Sequence, residues 1–153
     1  MLRASGIESF AAVAEVERAW KDRTRRVGMP LFPGYIFVRI TLQETARVLR
    51  WPGAVGLVAV RGVPARLREE EIESVFRLAS GVTESGALPT YVEYLAPGEP
   101  VEVTGGPFKG LHGIVVEEKG RRYVAVKLDA IRVARAVRVD RRWLAGTGGS
   151  AVA

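Results

Sequence analysis

Apolar and polar residues alternate with a period of two over most of this chain, and helical spacing is clear in one long stretch. Residues 7–13 and 16–20 read as extended, and Asp22-Arg23 suits a hairpin tip, with Arg23, Arg25 and Arg26 forming a basic loop. Gly34 to Thr41 is the strongest strand. Tyr35, Phe37 and Arg39 fall on one face, and Ile36, Val38 and Ile40 on the other, which is expected to meet the core. Residues 42–50 predict a short helix with Leu42, Ala46 and Leu49 on its apolar side, broken by Pro52-Gly53. Val55 to Val60 predicts a second apolar strand, ended by Arg61-Gly62. Glu69 to Ser80 is amphipathic, with Ile72, Val75, Phe76 and Ala79 at helical spacing. Glu69, Glu70 and Glu71 complement the helix dipole in the first turn, and Gly81 is the expected stop.

The second half has a different rhythm. Residues 81–97 carry Gly81, Gly86, Pro89 and Pro97 with little periodic apolar pattern, and read as a linker. Short alternating strands then follow at about 99–104, 111–118, 121–128 and 131–139, with Lys119-Gly120 as a hairpin turn. This spacing predicts a small closed barrel, which would remove exposed strand edges. The Gly- and Ala-rich end is flexible in composition. The expected organisation is α+β: a first domain over residues 1–80, a linker over 81–97, an all-β domain over 98–143 and a tail over 144–153. One oddity stands at the start. Leu2 to Ile7 reads as the closing turn of a helix, with Gly6 at the left-handed position, but no helix body precedes it.

Composition narrows the chemistry. The chain has 153 residues, enough for one ordinary domain or two small ones, and 26% of them are charged. A formal charge of +6 favours nucleic acid or another acidic partner through long-range attraction, although mild basicity alone is common. Residues 1–80 hold 13 basic and 9 acidic side chains against 10 and 8 in the rest, so the excess leans toward the first half. With no cysteine there is no disulfide or thiolate metal site, which fits a reducing cytoplasm. No apolar run of about 18 residues predicts a membrane span, and no signal peptide is visible. His112 is the only histidine and has no carboxylate, Ser or Cys partner at a telling spacing. No phosphate-binding loop, dinucleotide fingerprint or nucleophile elbow is present. A cofactor-free, non-enzymatic protein is expected.

Two segments carry a more specific signal. The first is Pro30-Leu31-Phe32-Pro33-Gly34-Tyr35-Ile36-Phe37-Val38-Arg39, where a Pro-Gly turn launches a strand that is apolar on both faces. Tyr35 and Phe37 need cover, either from the same domain or from a partner. The second runs from Gly98 to Val116. It includes Val101-Glu102-Val103, the turn Gly105-Gly106-Pro107-Phe108 and the return Gly110-Leu111-His112-Gly113-Ile114-Val115. Between them, Arg50-Trp51-Pro52-Gly53-Ala54-Val55 forms a turn flanked by Arg47 and Arg50.

Together, and in this order, these segments resemble the NusG family, which pairs an N-terminal NGN domain with a C-terminal SH3-like KOW barrel. The resemblance covers about residues 1–143. It implies a monomeric cytoplasmic elongation or antitermination factor that grips the clamp helices of RNA polymerase with Leu31, Phe32, Tyr35 and Phe37. It places Arg47 and Arg50 toward polymerase or the displaced DNA strand; a solvated helix surface is the plainer reading of both. It makes Phe108 and Leu111 the barrel's contacts for ribosomal protein NusE and Rho, against the plainer reading of Phe108 as a barrel plug. Gly110 and Gly113 become structural positions of the KOW turn, Gly113 because a side chain would block close backbone approach. Lys127, Arg132, Arg135 and Arg138 would make an outer basic face.

The chain departs from the family at two places. Leu111 stands where the loop commonly has a second Phe. The opening Trp-Tyr strand and amphipathic helix of NGN domains do not appear, which leads to the expectation of a start placed too far downstream. Leu111 and the short, basic end of the KOW segment lean toward a specialised antiterminator of the RfaH or UpxY kind. The alternatives are a ribosome-associated or RNA-binding KOW protein, and an inactive truncated paralogue.

Overall fold

Strand-forming alternation becomes paired strand only where a neighbour is available, and that rule shapes the first half of the molecule. The computed structural model describes residues 6–147; the helix end expected over residues 2–5 and the tail positions 148–153 lie outside the described residues. Gly6 does take the left-handed conformation, at φ +79°. Three small antiparallel ribbons follow: β1 (Glu8–Phe10) with β4 (Phe37–Arg39), β2 (Val13–Ala19) with β3 (Thr24–Pro30), and β5 (Ala59–Val60) with β6 (Val63–Pro64). Arg25 and Arg26 therefore belong to a strand, and the connection at Lys21-Asp22 is tight, because Trp20 N donates to Arg23 O at 2.7 Å.

The strand expected from Gly34 to Thr41 shrinks to the three residues that β1 can pair. Before it, Tyr35 N donates to Phe32 O across the Pro33-Gly34 turn, with Gly34 at φ +85°. The expected facing also changes. Ile36 is 58% exposed, whereas Phe37 is half-buried and packs on the core. Similarly, the strand expected over Val55–Val60 survives only as β5, and Val55 is fully exposed. In the short helix α1 (Thr45–Leu49), Val48 is the buried side chain, while Leu42, Ala46 and Leu49 face solvent. The 3-10 turn Leu42–Glu44 leads into it, and the Glu44 carboxylate accepts from Thr41 N at 2.8 Å.

Helix α2 (Glu69–Ser85) begins with its three glutamates, and Glu71 accepts from Arg68 N at 2.7 Å. It runs through Gly81 and stops at Gly86, whose φ of +70° closes it by a bond to Val82 O. Gly81 does not end the helix because Val82 continues the buried stripe of Val75, Leu78 and Ala79. The stretch read as a linker thus contains the end of α2 and a strand, β7 (Thr90–Val92).

The remaining strands are β8 (Glu99–Val103), β9 (His112–Glu118), β10 (Arg121–Leu128), β11 (Val133–Val137) and β12 (Leu144–Gly146). With β7 they form one antiparallel six-stranded sheet in the order β12-β8-β9-β10-β11-β7. Its two edges are elements the apolar pattern did not announce. β7 comes from the expected linker, and β12 from the expected flexible tail. Lys119 (φ +50°) and Gly120 (φ +73°) make the two-residue β9–β10 turn, with both central residues in the left-handed region that suits a twisted hairpin. Helix α2 lies against β2 on one side and β9 and β10 on the other. One buried cluster consequently joins Ala14, Val16, Leu31 and Phe32 to Val75, Leu78 and Val82 of α2 and to Val103, Phe108, Leu111, Val124 and Val126 of the sheet. The other face of the sheet has its own small cluster, Val116, Ala125 and Ala136, covered by Val92, Ala96 and Tyr123.

Candidate functional site

The Pro33-Gly34 turn splits its aromatic neighbours into a buried floor and an accessible rim. Leu31 (0% exposed) and Phe32 (2%) sit in the core, held there by Leu31 N donating to Ala12 O at 2.8 Å. Above them Phe37 meets Phe32 edge-on, with centroids 6.3 Å apart, and stacks on Phe10 across the β1–β4 ribbon at 6.1 Å. Phe10 in turn contacts Phe76 of α2 at 5.9 Å, and Phe76 is 53% exposed. Tyr35 stands on the turn at 39% exposure. The result is a run of rings, Phe32–Phe37–Phe10–Phe76, that starts in the core and ends in solvent. Offset and edge-on ring pairs of this kind add about 0.5–1.5 kcal/mol each to plain burial, so the run is a stiff surface. Phe10 is the member that sequence pattern did not single out. Its signal was only position: it pairs with Phe37 in register.

Arg47 and Arg50 lie near the exposed end of α1. Arg47 is 3.4 Å from Glu44, an exposed pair that contributes little to stability, and Arg50 is exposed. The Glu44 carboxyl is held below its ordinary value, first by the Thr41 backbone N–H, then by the Thr41 hydroxyl and the Arg47 charge.

The second set of expected contacts is covered. Phe108 (4% exposed) and Leu111 (0%) are buried in the cluster that includes α2, and a Cβ at Gly81 would fall on the Phe108 ring. Arg77, one turn earlier, donates to Lys109 O at 3.1 Å and is itself paired with Glu73 at 2.9 Å. Gly110 has φ +86°, a region costly for other residues, and a Cβ there would sit 2.9 Å from the Arg77 guanidinium. At Gly113 a Cβ would sit 2.5 Å from Ala125 O, which is backbone and cannot yield. His112 is exposed, 4.0 Å from Glu102.

The basic face expected on the last strands is divided. Arg135 pairs with Val126 in register and shares its inward face, so it is 5% exposed, with its guanidinium 4.0 Å from the Tyr91 ring centroid and its Nε unbonded. Lys127 lies on the opposite face and donates to Ala96 O at 2.7 Å, near the Tyr94 ring that Arg132 also approaches. The Tyr94 hydroxyl donates to Asp129, which holds its pKa above the ordinary value. Among the described residues, no three His, Cys, Asp or Glu side chains are grouped to hold a metal ion, and no helix is long and apolar enough to cross a membrane.

Comparison with known proteins adds the following. Residues 1–76 match the family model described as "Transcription termination factor nusG". A Pasteurella multocida protein named "Transcription termination/antitermination protein NusG" is 30% identical over 129 residues, covering 79% of this chain and 68% of its own. Proteins of the same name from Borreliella burgdorferi and Yersinia pestis are 26% and 28% identical, covering 77% and 79% of this chain and 70% and 68% of their own.

Proposed function

The chain belongs to the NusG family of transcription termination/antitermination proteins, and on that premise we propose that it binds RNA polymerase through the aromatic run ending at Phe76 and Tyr35. The observation that carries this reading is the half-open stack of Phe37, Phe10 and Phe76 beside Tyr35. Exposed aromatic clusters of this kind supply the anchors of protein interfaces, where Tyr and Phe are enriched. Leu31 and Phe32 act in it as the rigid floor, and Arg47 and Arg50 as flanking charges toward polymerase or DNA. Holding the polymerase clamp from this surface is the expected route to suppressing pauses.

In the same reading Phe108 and Leu111 receive a second partner, NusE or Rho, only when the barrel leaves α2, since both are covered in the packed state. The protein acts as a monomer in the cytoplasm and performs no chemistry of its own. A ribosome-associated or RNA-binding KOW role accounts less well for the aromatic run, which lies outside the six-stranded sheet.

Capture of a polymerase clamp-helix fragment by the full chain tests the main reading. Tyr35→Ala and Phe76→Ala should each weaken capture at least tenfold while leaving the melting temperature nearly unchanged. Capture that is unaffected by both substitutions would remove the aromatic run from the interface.

A further inference from the structure

Arg135 is a buried charge without a counterpart. Side chains alternate along β11, so Arg135 shares a face with Val133 and Val137. In register it lies between Val126 of β10 and Tyr91 of β7. The residue is 5% exposed, its Nε is shut off from solvent with no hydrogen bond, and it forms no ion pair with any described residue. Its one specific neighbour is the Tyr91 ring, whose centroid is 4.0 Å from the guanidinium carbon. Stacking on an aromatic face offsets part of the loss of water, but it gives the N–H donors of the planar fork no acceptor.

The neighbouring cation–aromatic group is complete by comparison. Lys127, near the Tyr94 ring, donates to Ala96 O, and the Tyr94 hydroxyl donates to Asp129. Arg135 and Tyr91 have neither kind of acceptor among the described residues. Tyr91 is also the movable side of its pair. Its ring is 56% exposed, and β7 is the last strand of the sheet, so no further strand walls the ring in. Leu88 and Leu95, both exposed, flank it along the chain. Rotating the ring outward would open the guanidinium to a ligand lying along β7.

We propose that Arg135 is a receptor for one carboxylate, presented by an extended peptide of a partner protein laid along β7, with Tyr91 as its gate. The carboxylate accepts from Nε–H and an Nη–H together, the two-pronged pairing for which a guanidinium is shaped. Apolar residues on either side of the acid meet Leu88 and Leu95, and the outer edge of β7 offers the peptide its unpaired backbone groups. The packing itself does not call for a charge, because a buried ion is often replaced by an apolar side chain at no loss of stability. None of these residues belongs to the Tyr35–Phe76 surface or to the Phe108–Leu111 loop, so this site and the polymerase reading stand or fall separately.

NMR of the arginine Nε–H groups in the full isotope-labelled chain tests this, with the Arg135 signal assigned by its loss in Arg135→Lys. The probe is a blocked peptide of alternating valine and threonine with one central glutamate. A second arm carries glutamine in its place, and a third has no internal acid but a free terminal carboxylate. Whichever acid moves the signal identifies the source of the carboxylate. An acidic peptide should shift the Arg135 Nε–H downfield to saturation, and the glutamine peptide should leave it in place. Arg135→Lys, a point charge without the fork, should weaken binding of the labelled acidic peptide about tenfold by fluorescence anisotropy. Tyr91→Ala should strengthen it, because a closed gate lowers apparent affinity by the fraction of open molecules. Arg135→Met should lose the peptide while melting no lower than the parent. A clear fall in the melting temperature of that variant would make Arg135 a brace for β7. That result, a signal that no peptide moves, or an equal response to the glutamine peptide or to sulfate overturns the proposal.

Discussion

Phe37 and Phe108 leave similar turns and meet different fates. Each follows a Pro-containing, glycine-rich reversal, Pro33-Gly34 for one and Gly105-Gly106-Pro107 for the other. Each also packs in the cluster that includes α2. Phe108 meets the helix where Gly81 removes the side chain and Arg77 clasps the loop, and it is buried. Phe37 reaches the helix only through Phe10 and Phe76, two rings that stand up from their elements, and the run remains half open. The helix residues at the two contacts differ: a glycine makes room for Phe108, whereas a phenylalanine meets Phe10, the ring that stacks on Phe37.

The largest effect should come from emptying the closed site. Phe108→Ala removes a buried ring between α2 and the sheet and should cost about 3–5 kcal/mol, read from denaturant unfolding. Gly81→Ala sets two terms against each other. Helix propensity favours alanine by about 1 kcal/mol, but its Cβ would occupy the space of the Phe108 ring, and overpacking typically costs about 1–3 kcal/mol. The net should be destabilising. In the double variant the alanine methyl partly fills the hole left by Phe108. The pair should then be more stable than the sum of the single changes. Strict additivity would mean that α2 and the barrel loop are not packed as described. At the open site Phe76→Ala should change stability by no more than about 1 kcal/mol, because half of the ring is already in water.

How far the sequence alone reaches follows from the same contrast. The strands of the β-rich half were legible nearly to the residue, β10 fully so, because each is paired on both sides and its alternation is enforced by burial. β7 and β12 were missed, since an edge strand needs only one partner and three residues carry no periodic signal. In the first half, Gly34–Thr41 and Val55–Val60 are apolar enough to suggest long strands, but a strand extends only as far as its neighbour, and each neighbour is two or three residues long. Gly81 was misread because a glycine that admits a ring from another element looks in sequence like one that ends a helix. Arg23, Arg25 and Arg26 were legible as basic positions near a hairpin tip. That Arg25 and Arg26 lie on opposite faces of a strand became clear only from the register of β2 with β3.

A smaller effect should separate the two halves by pH. On the β-rich side, the hydrogen bond to Asp129 raises the Tyr94 pKa, so folding favours the neutral phenol. That contribution is complete below the ordinary tyrosine value of 10.0 and is lost as pH rises through the folded-state value. Tyr94→Phe should consequently be less stable than the parent at neutral pH, with the gap closing in alkali. A gap that is constant with pH would mean that Asp129 does not hold the phenol.

The smallest effect lies at the start of α1, and it has the opposite sign. Hydrogen bonds from Thr41 N and Thr41 Oγ1 favour ionised Glu44, so its folded-state pKa falls below the ordinary 4.5. A lowered carboxylate contributes stability that is present above the unfolded value and disappears as pH falls through the folded one. The group is exposed, so the loss should be local fraying of the 3-10 turn and α1, with the global transition unmoved. Amide exchange of Thr41 N–H between pH 6 and about pH 3 reads it directly. Protection should fall on acidification in the parent and be low and flat in Glu44→Gln, which offers only a weaker neutral acceptor to the same N–H. Equal protection in the two proteins across that range would show that the carboxylate does not cap this end of the helix.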